Sequence, residues 1–235
     1  MKNCQEWLLG FDRAFDNIMS HKAPGLLPYE KSLFLSDAQD VIMVGLYNGS
    51  LGDAFEATEA VSNYLAPLVR QVVLDTEVND ENEARRIAGA QSHIYAMPED
   101  FLLRTYESCI LNVSPVCGEQ EAEVVPVTQD AFRRTNRDPF KRANENRVLR
   151  LVYATSSEKQ NELTVQHYTE LVSKYEIQSY LVRYIRRPNP IILEDLHNGL
   201  TIRGESKAMT CELDEALHPL ILAQAVKMAK EAWMN

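Results

Sequence analysis

Apolar positions in the first third of the chain recur at helical spacing. Leu8, Phe11, Phe15 and Ile18 repeat with Asp12, Arg13, Asp16 and Asn17 between them, which predicts a helix over residues 3–21. Ala23-Pro24-Gly25 breaks it. A second helix opens at Pro28 and runs through about Tyr47, with Leu33, Phe34, Ala38, Val41 and Ile42 as its apolar stripe. Asn48-Gly49 ends it, because this pair tolerates the left-handed backbone of a C-cap. A third helix is expected from about Asp53 to Gln71, with Phe55, Ala60, Tyr64 and Leu68 inward and Pro67 kinking it or ending it early. Together these helices predict a small bundle over residues 1–71.

The period then changes. VVLDTEV (72–78) has strand character, and NDENEARR (79–86) reads as a charged loop. FLLRTYESCILNV (101–113) mixes β-branched, aromatic and polar residues and suits a strand better than a helix, although FLLRTYESCIL also fits a helix. AEVVPV (122–127) is a strand, and Thr128 then caps a short helix, TQDAFRRT, with Asp130 in its first turn, where a carboxylate favours the unpaired N–H groups. RVLRLVYA (147–154) and EIQSYLVRYIRR (176–187) are further strands, and 79–92 and 155–162 are expected as long loops. In the last strand Tyr180, Val182, Tyr184 and Arg186 share one face, Leu181, Arg183, Ile185 and Arg187 the other, and Pro188 and Pro190 end the ladder. HPLILAQAVKMAKEAW closes the chain as a helix, with Pro219 in its first turn and Leu222, Ala225, Val226, Ala229 and Trp233 on one face.

Helices, then strands with one short helix, then a terminal helix make an α+β protein and not a doubly wound one. The expected organisation is an N-terminal helical bundle (1–71), a central, mostly antiparallel β-rich region (72–214), and a C-terminal helix (215–234) that packs back on the bundle.

Charge sharpens this picture. The formal net charge is -10, which argues against general nucleic-acid binding, since phosphate contacts need a basic footprint. Its distribution is uneven: residues 1–100 hold seven Lys+Arg against sixteen Asp+Glu, and residues 133–187 hold twelve against six. No apolar run approaches the roughly 18 residues that span a bilayer, and no secretory leader is evident, so the chain is expected to stay in the cytoplasm where it is made. Cys4, Cys109, Cys117 and Cys211 are scattered, with no C-x-x-C pair, and are expected to be buried thiols.

Catalytic and cofactor chemistry has no foothold in the pattern. The nine glycines form no phosphate loop. DTEVNDENEARR alternates acidic residues as a calcium loop does, but Asp80 stands where glycine is needed and Arg86 where a bidentate glutamate is needed. None of His21, His93, His167, His197 and His218 lies in H-E-x-x-H or beside a nucleophile elbow. No catalytic residue, metal site or cofactor is expected.

Several blocks together resemble a structural protein family of crAss-like tailed bacteriophages. FDRAFDNIMSHKAPGLLPYEKSLFLSDAQDVIMVGLYNG (11–49) resembles that family's helical hairpin, with Ala23-Pro24-Gly25-Leu26 and Tyr29-Glu30-Lys31-Ser32 in its linker. VVPVTQDAFRRTNRDPF (124–140) resembles its strand, capped helix and turn, with Asp138 where asparagine is more usual. VLRLVY (148–153) stands in place of a strand that there carries Trp, here Leu149. YLVRYIRRPNPIIL (180–193) and CELDEALHPLILAQAVKMAKEAW (211–233) resemble its closing strand and terminal helix. The resemblance implies a virion protein of the neck, one structural domain of adaptor type, similar to the tail tubular and connector proteins of short-tailed phages. As a head-to-tail adaptor it would form a ring, twelve-fold in such proteins, on the portal axis. It would contact the portal and neighbouring tail or ring proteins, and let genomic DNA pass without specific binding or any membrane partner.

The residues suit that role in two places. Arg183, Arg186 and Arg187 gather where the last strand ends and are candidates for a subunit interface. Asp75, Glu77, Asp80, Glu81, Glu83, Glu119, Glu121 and Glu123 are candidates for an acidic, non-adhesive channel lining. The competing function is a nucleic-acid-binding module built from Arg133, Arg134, Arg137, Lys141, Arg142, Arg147 and Arg150 with the arginines of 183–187, which requires them to converge on one face.

Overall fold

Asn3 starts the first helix, α1 (Cys4–Met19). Its Oδ1 accepts the Glu6 N–H at 2.8 Å while Glu6 Oε2 accepts the Asn3 N–H at 3.0 Å, a reciprocal cap. The computed structural model describes residues 3–19, 25–52, 59–75, 78, 92–114, 118–159, 162–197 and 199–234. It divides into two compact units, Met1–Leu68 with Arg187–Asn235, and Val69–Arg186.

In the first unit α1 buries Trp7, Phe11 and Phe15. The expected stripe began at Leu8, which is only half-buried. The face is rotated because α1 packs on the C-terminal helix, α5 (His218–Met234). There the Trp7 ring lies 5.0 Å from that of His218, and a Cβ on Gly10 would stand 3.2 Å from the Leu222 side chain. Along α5, Ile221, Ala225, Val226 and Ala229 are buried and Leu222 is half-buried. Before it, Asp214 Oδ1 accepts the Ala216 N–H at 2.8 Å, and the His218 ring nitrogen bonds the Leu213 carbonyl at 3.2 Å.

The second helix, α2 (Pro28–Asn48), has proline at its start and Gly49 with φ 73 as its left-handed C-cap. Its buried face corrects the expected one. Ala38 and Ile42 are buried, but Val41 is exposed, and Ser32, Ser36 and Gln39 are buried instead. These three polar side chains bind the backbone of residues 189–193. Gln39 Nε2 donates to the Asn189 carbonyl at 3.0 Å, Ser36 Oγ accepts the Ile191 N–H at 3.0 Å and donates to its carbonyl at 3.3 Å, and Ser32 Oγ accepts the Leu193 N–H at 3.1 Å. Four helical residues advance about 6 Å and two extended residues about 6.6 Å, so the helical and strand periods stay nearly in step. On the other edge of this segment Ile192 forms a two-way bridge with Met209. Residues 187–214, expected with the β-rich region, therefore belong to the helical unit. The third helix, α3 (Glu59–Leu65), passes into a 3-10 turn over Ala66–Leu68 at Pro67 and so stops short of Gln71.

The second unit holds seven strands: β1 (Val69–Leu74), β2 (Ser92–Ala96), β3 (Phe101–Ser114), β4 (Gly118–Pro126), β5 (Arg147–Lys159), β6 (Glu162–Val172) and β7 (Glu176–Arg186). They form one sheet in the order β1-β7-β3-β4-β5-β6-β2, antiparallel except between β4 and β5. A parallel pair needs a crossover, and α4 (Gln129–Arg137) lies in it. Thr128 occupies the cap position of α4, but its side chain makes no capping bond.

This sheet curls on itself. Tyr95 of β2 lies 5.4 Å from Tyr180 of β7, although four strands separate them in the hydrogen-bonded order, and Phe101 of β3 lies 5.7 Å from His167 of β6. Register shifts along the β3–β7 pair supply local bends. The interior is packed by Tyr95, Cys109, Leu111, Val148, Leu171, Tyr180 and Val182, while Phe132 of α4 covers Leu149, Leu151 and Val172 on the outer side. Two strands were not anticipated, β2 and β6. Within the expected loop 155–162, residues 155–159 and 162 are instead strand, β5 pairing with β6 as far as Lys159 with Glu162. Residues 79–91 lie outside the described residues.

Candidate assembly surfaces

The strand β7 alternates from Tyr180 to Tyr184, with Tyr180, Val182 and Tyr184 buried, but Ile185 is buried too, and the strand ends at Arg186 before Pro188 and Pro190. The three candidate arginines differ in setting. Arg183 is half-buried on the outer face of the sheet, opposite Gln71 of β1 and Tyr106 of β3. Arg186 is half-buried at the last position of β7, opposite Phe101. Arg187 is exposed and belongs to the helical unit, where its charge acts on Asp40 of α2. Burial raises the Asp40 carboxyl above its usual range, opposed by Arg203 and then Arg187. Arg203 holds Asp40 in a forked pair at 2.8 and 3.1 Å from a left-handed turn, φ 55.

The acidic candidates also divide. Glu119, Glu121 and Glu123 are exposed at alternate positions of β4, so they form a row on one face. Asp75 is exposed just after β1, and Glu77, Asp80, Glu81 and Glu83 lie outside the described residues. Beside the β4 row the outer sheet face is apolar at its centre. Val73 of β1 stands opposite Leu181 of β7, Ile110 of β3 stands opposite Glu121, and Ser108 stands opposite Glu123. Tyr106 is 51%, Val73 48% and Ile110 36% exposed. Glu121 accepts the Tyr106 hydroxyl at 3.4 Å, and Glu119 accepts the Gln178 amide at 2.8 Å.

The basic segment carries a feature that sequence reasoning missed. After α4 the chain turns through Asp138-Pro139-Phe140, and Phe140 is 87% exposed. The turn is held from within: Asp138 Oδ1 accepts the Phe140 N–H at 2.9 Å, the Asp138 carbonyl accepts the Lys141 and Arg142 N–H groups, and Arg147 donates to the Phe140 carbonyl at 2.9 Å. Arg133, Arg134 and Arg137 of α4 and Lys141 and Arg142 of the turn are all exposed. The only sequence signal was an aromatic beside a proline among cations; its exposure is a property of the fold.

The other arginines of the basic segment do different work. Arg150 points into the curled sheet and pairs with Glu107, which also accepts the Tyr180 hydroxyl at 2.6 Å and lies 3.5 Å from Arg104. Arg104 in turn donates to Thr169 Oγ1 at 2.7 Å. Glu107 therefore joins β3, β5 and β7, with β6 reached through Arg104. The convergence that nucleic-acid binding requires is not met at Arg150. Among the described residues no group of His, Cys, Asp and Glu is arranged to hold a metal, and no helix is long and apolar enough to cross a membrane. Cys109 and Cys211 are buried and Cys4 is half-buried, which corrects the expectation for Cys4, while Cys117 lies outside the described residues.

What the β-rich unit presents outward is thus the chemistry of contact between macromolecules: a fixed aromatic among cations, and an apolar face edged with carboxylates. A family model described as phage tail ring protein 3/4 matches residues 2–234, and the chain belongs to that family. It is similar to Ring protein 3 of Bacteroides phage crAss001, 37% identical over 206 residues that cover 86% of this chain and 83% of that protein. It is also similar to Ring protein 4/5 of the same phage, 29% identical over 241 residues that cover 99% of this chain and 94% of that protein.

Proposed function

We propose that this chain is a structural ring subunit of the virion neck. In this role it is a head-to-tail adaptor that assembles around the portal axis and extends the DNA passage from head to tail. The observation that carries the proposal is the family match across residues 2–234. The ring is twelve-fold, its partners are other copies of the chain, the portal protein and neighbouring tail or ring proteins, and it assembles in the host cytoplasm. Genomic DNA passes through without specific contact during ejection, and the chain does its work without catalysis or a cofactor.

Two features favour this function physically. A ring of identical subunits needs two different, complementary surfaces on each copy, and the β-rich unit exposes both a basic and an acidic one. A net charge of -10 also suits a passage through which DNA slides, since carboxylates repel phosphate. Asp75, Glu77, Asp80, Glu81 and Glu83, together with Glu119, Glu121 and Glu123 of β4, are the proposed channel-facing group. Arg183, Arg186 and Arg187 are the proposed interface candidates, and the charge of Arg187 also acts on Asp40 within its own unit.

The test is co-sedimentation of the purified chain with the portal of the same phage, alongside a duplex-DNA gel shift. Co-sedimentation in a ring-sized complex without a DNA shift is expected. A chain that ignores the portal and shifts DNA with a steep salt dependence would instead identify a nucleic-acid-binding module.

A further inference from the structure

The turn 138–142 and the outer face of β1, β7, β3 and β4 carry opposite charge, and each exposes apolar side chains. Phe140 stands out from the surface, yet three sets of hydrogen bonds fix its turn. A side chain held in place loses little freedom on binding, which is the condition for an anchor residue. Its surroundings are cationic, and Arg133, Arg134, Arg137 and Arg142 make no ion pair among the described residues. The sheet face has the opposite make-up. Around the buried Ser108 stand the apolar Tyr106, Ile110, Val73 and the half-buried Leu181, with Arg183 beside Tyr106, and Glu119, Glu121 and Glu123 line the β4 side of the face.

We infer that Phe140 of one copy seats on the Tyr106–Ile110 face of the next copy, with Arg137, Lys141 and Arg142 against Glu119, Glu121 and Glu123. The occupant is a second copy because the knob and the face are matched in both charge and polarity and lie on different parts of one chain. A contact between unlike patches repeats head to tail and makes a ring when the rotation closes. This inference rests on the ring function proposed above, and it gives the β4 glutamates a role between subunits in place of the channel lining. DNA has no counterpart for the apolar face, although a phenylalanine among arginines is also a surface on which bases stack.

The test uses the full chain in two charge-reversed forms. One carries Arg137→Glu, Lys141→Glu and Arg142→Glu; the other carries Glu119→Arg, Glu121→Arg and Glu123→Arg. Each alone sets like charges together and is expected to weaken self-association, read by analytical ultracentrifugation at near-millimolar protein, on the order of a hundredfold. An equimolar mixture of the two restores it, because each altered patch then meets its complement. Phe140→Ser weakens association about tenfold or more with the thermal midpoint unchanged. If the chain associates and neither reversal matters, the contact is wrong and the ring function stands. Should the chain never associate, alone or with portal, both fail. If the reversals abolish DNA binding and leave association intact, the turn is a nucleic-acid contact and the inference is overturned.

Discussion

Tyr184 and Cys211 show how burial sets the chemistry of single residues here. Tyr184 is buried and donates to Asp100 at 2.9 Å, which pushes its phenol up to about 12, burial being the larger cause. Burial likewise pushes the Cys211 thiol up to about 11, and it raises Cys109 and Tyr180 still further. Raised values mean that the native chain keeps these protons after the unfolded chain has released them. The unfolded state then binds fewer protons, and stability falls as pH rises. The stabilisation is complete below about pH 9, and is lost through about pH 11 for Cys211 and about pH 12 for Tyr184. The thermal midpoint is therefore expected to drop between about pH 8 and about pH 10.5, and a midpoint that stays level or rises would contradict this. The same burial makes Cys109 and Cys211 inert towards thiol reagents while the chain is folded.

Among elements, the pairing of α2 with residues 189–193 is the feature the sequence concealed. Serine and glutamine on a helix ordinarily face water, so Ser32, Ser36 and Gln39 carry no apolar signal, and the apolar pattern points to Val41 in their place. Their burial follows from a backbone that needs hydrogen-bond partners where no strand is available, a demand that lies about 150 residues away in the chain. Ser36→Ala would leave both the N–H and the carbonyl of Ile191 without this partner in a buried place. A loss of about 1–3 kcal/mol is expected in urea unfolding, with a normal slope, and no loss would show that the ladder is not stabilising. By contrast β7 was legible, because Tyr180, Val182 and Tyr184 alternate and two prolines mark the end. Strand β6 was not, since its charged Glu170 is fully buried and its Gln166 and His167 break the apolar rhythm. The helix α5 was legible in extent because one side of it is almost continuously apolar.

At the scale of the molecule, charge is separated in a way that composition alone does not show. The basic stretch recognised in the sequence divides on folding: Arg150 turns inward to Glu107, Arg147 braces the Phe140 turn, and the α4 cations remain outside. Of the described acidic candidates, three form a β4 row and Asp75 follows β1. The sequence therefore carried the fold class and the polarity of charge, whereas the pairing of a knob with a face required strand register and exposure. The central claim is that this family member builds a ring on the portal axis. Negative-stain imaging of the purified chain mixed with its portal tests that most directly. The predicted result is an added ring of density coaxial with the portal, twelve-fold in averaged end views. Portal particles left bare at saturating protein, or decorated off the axis, would contradict it.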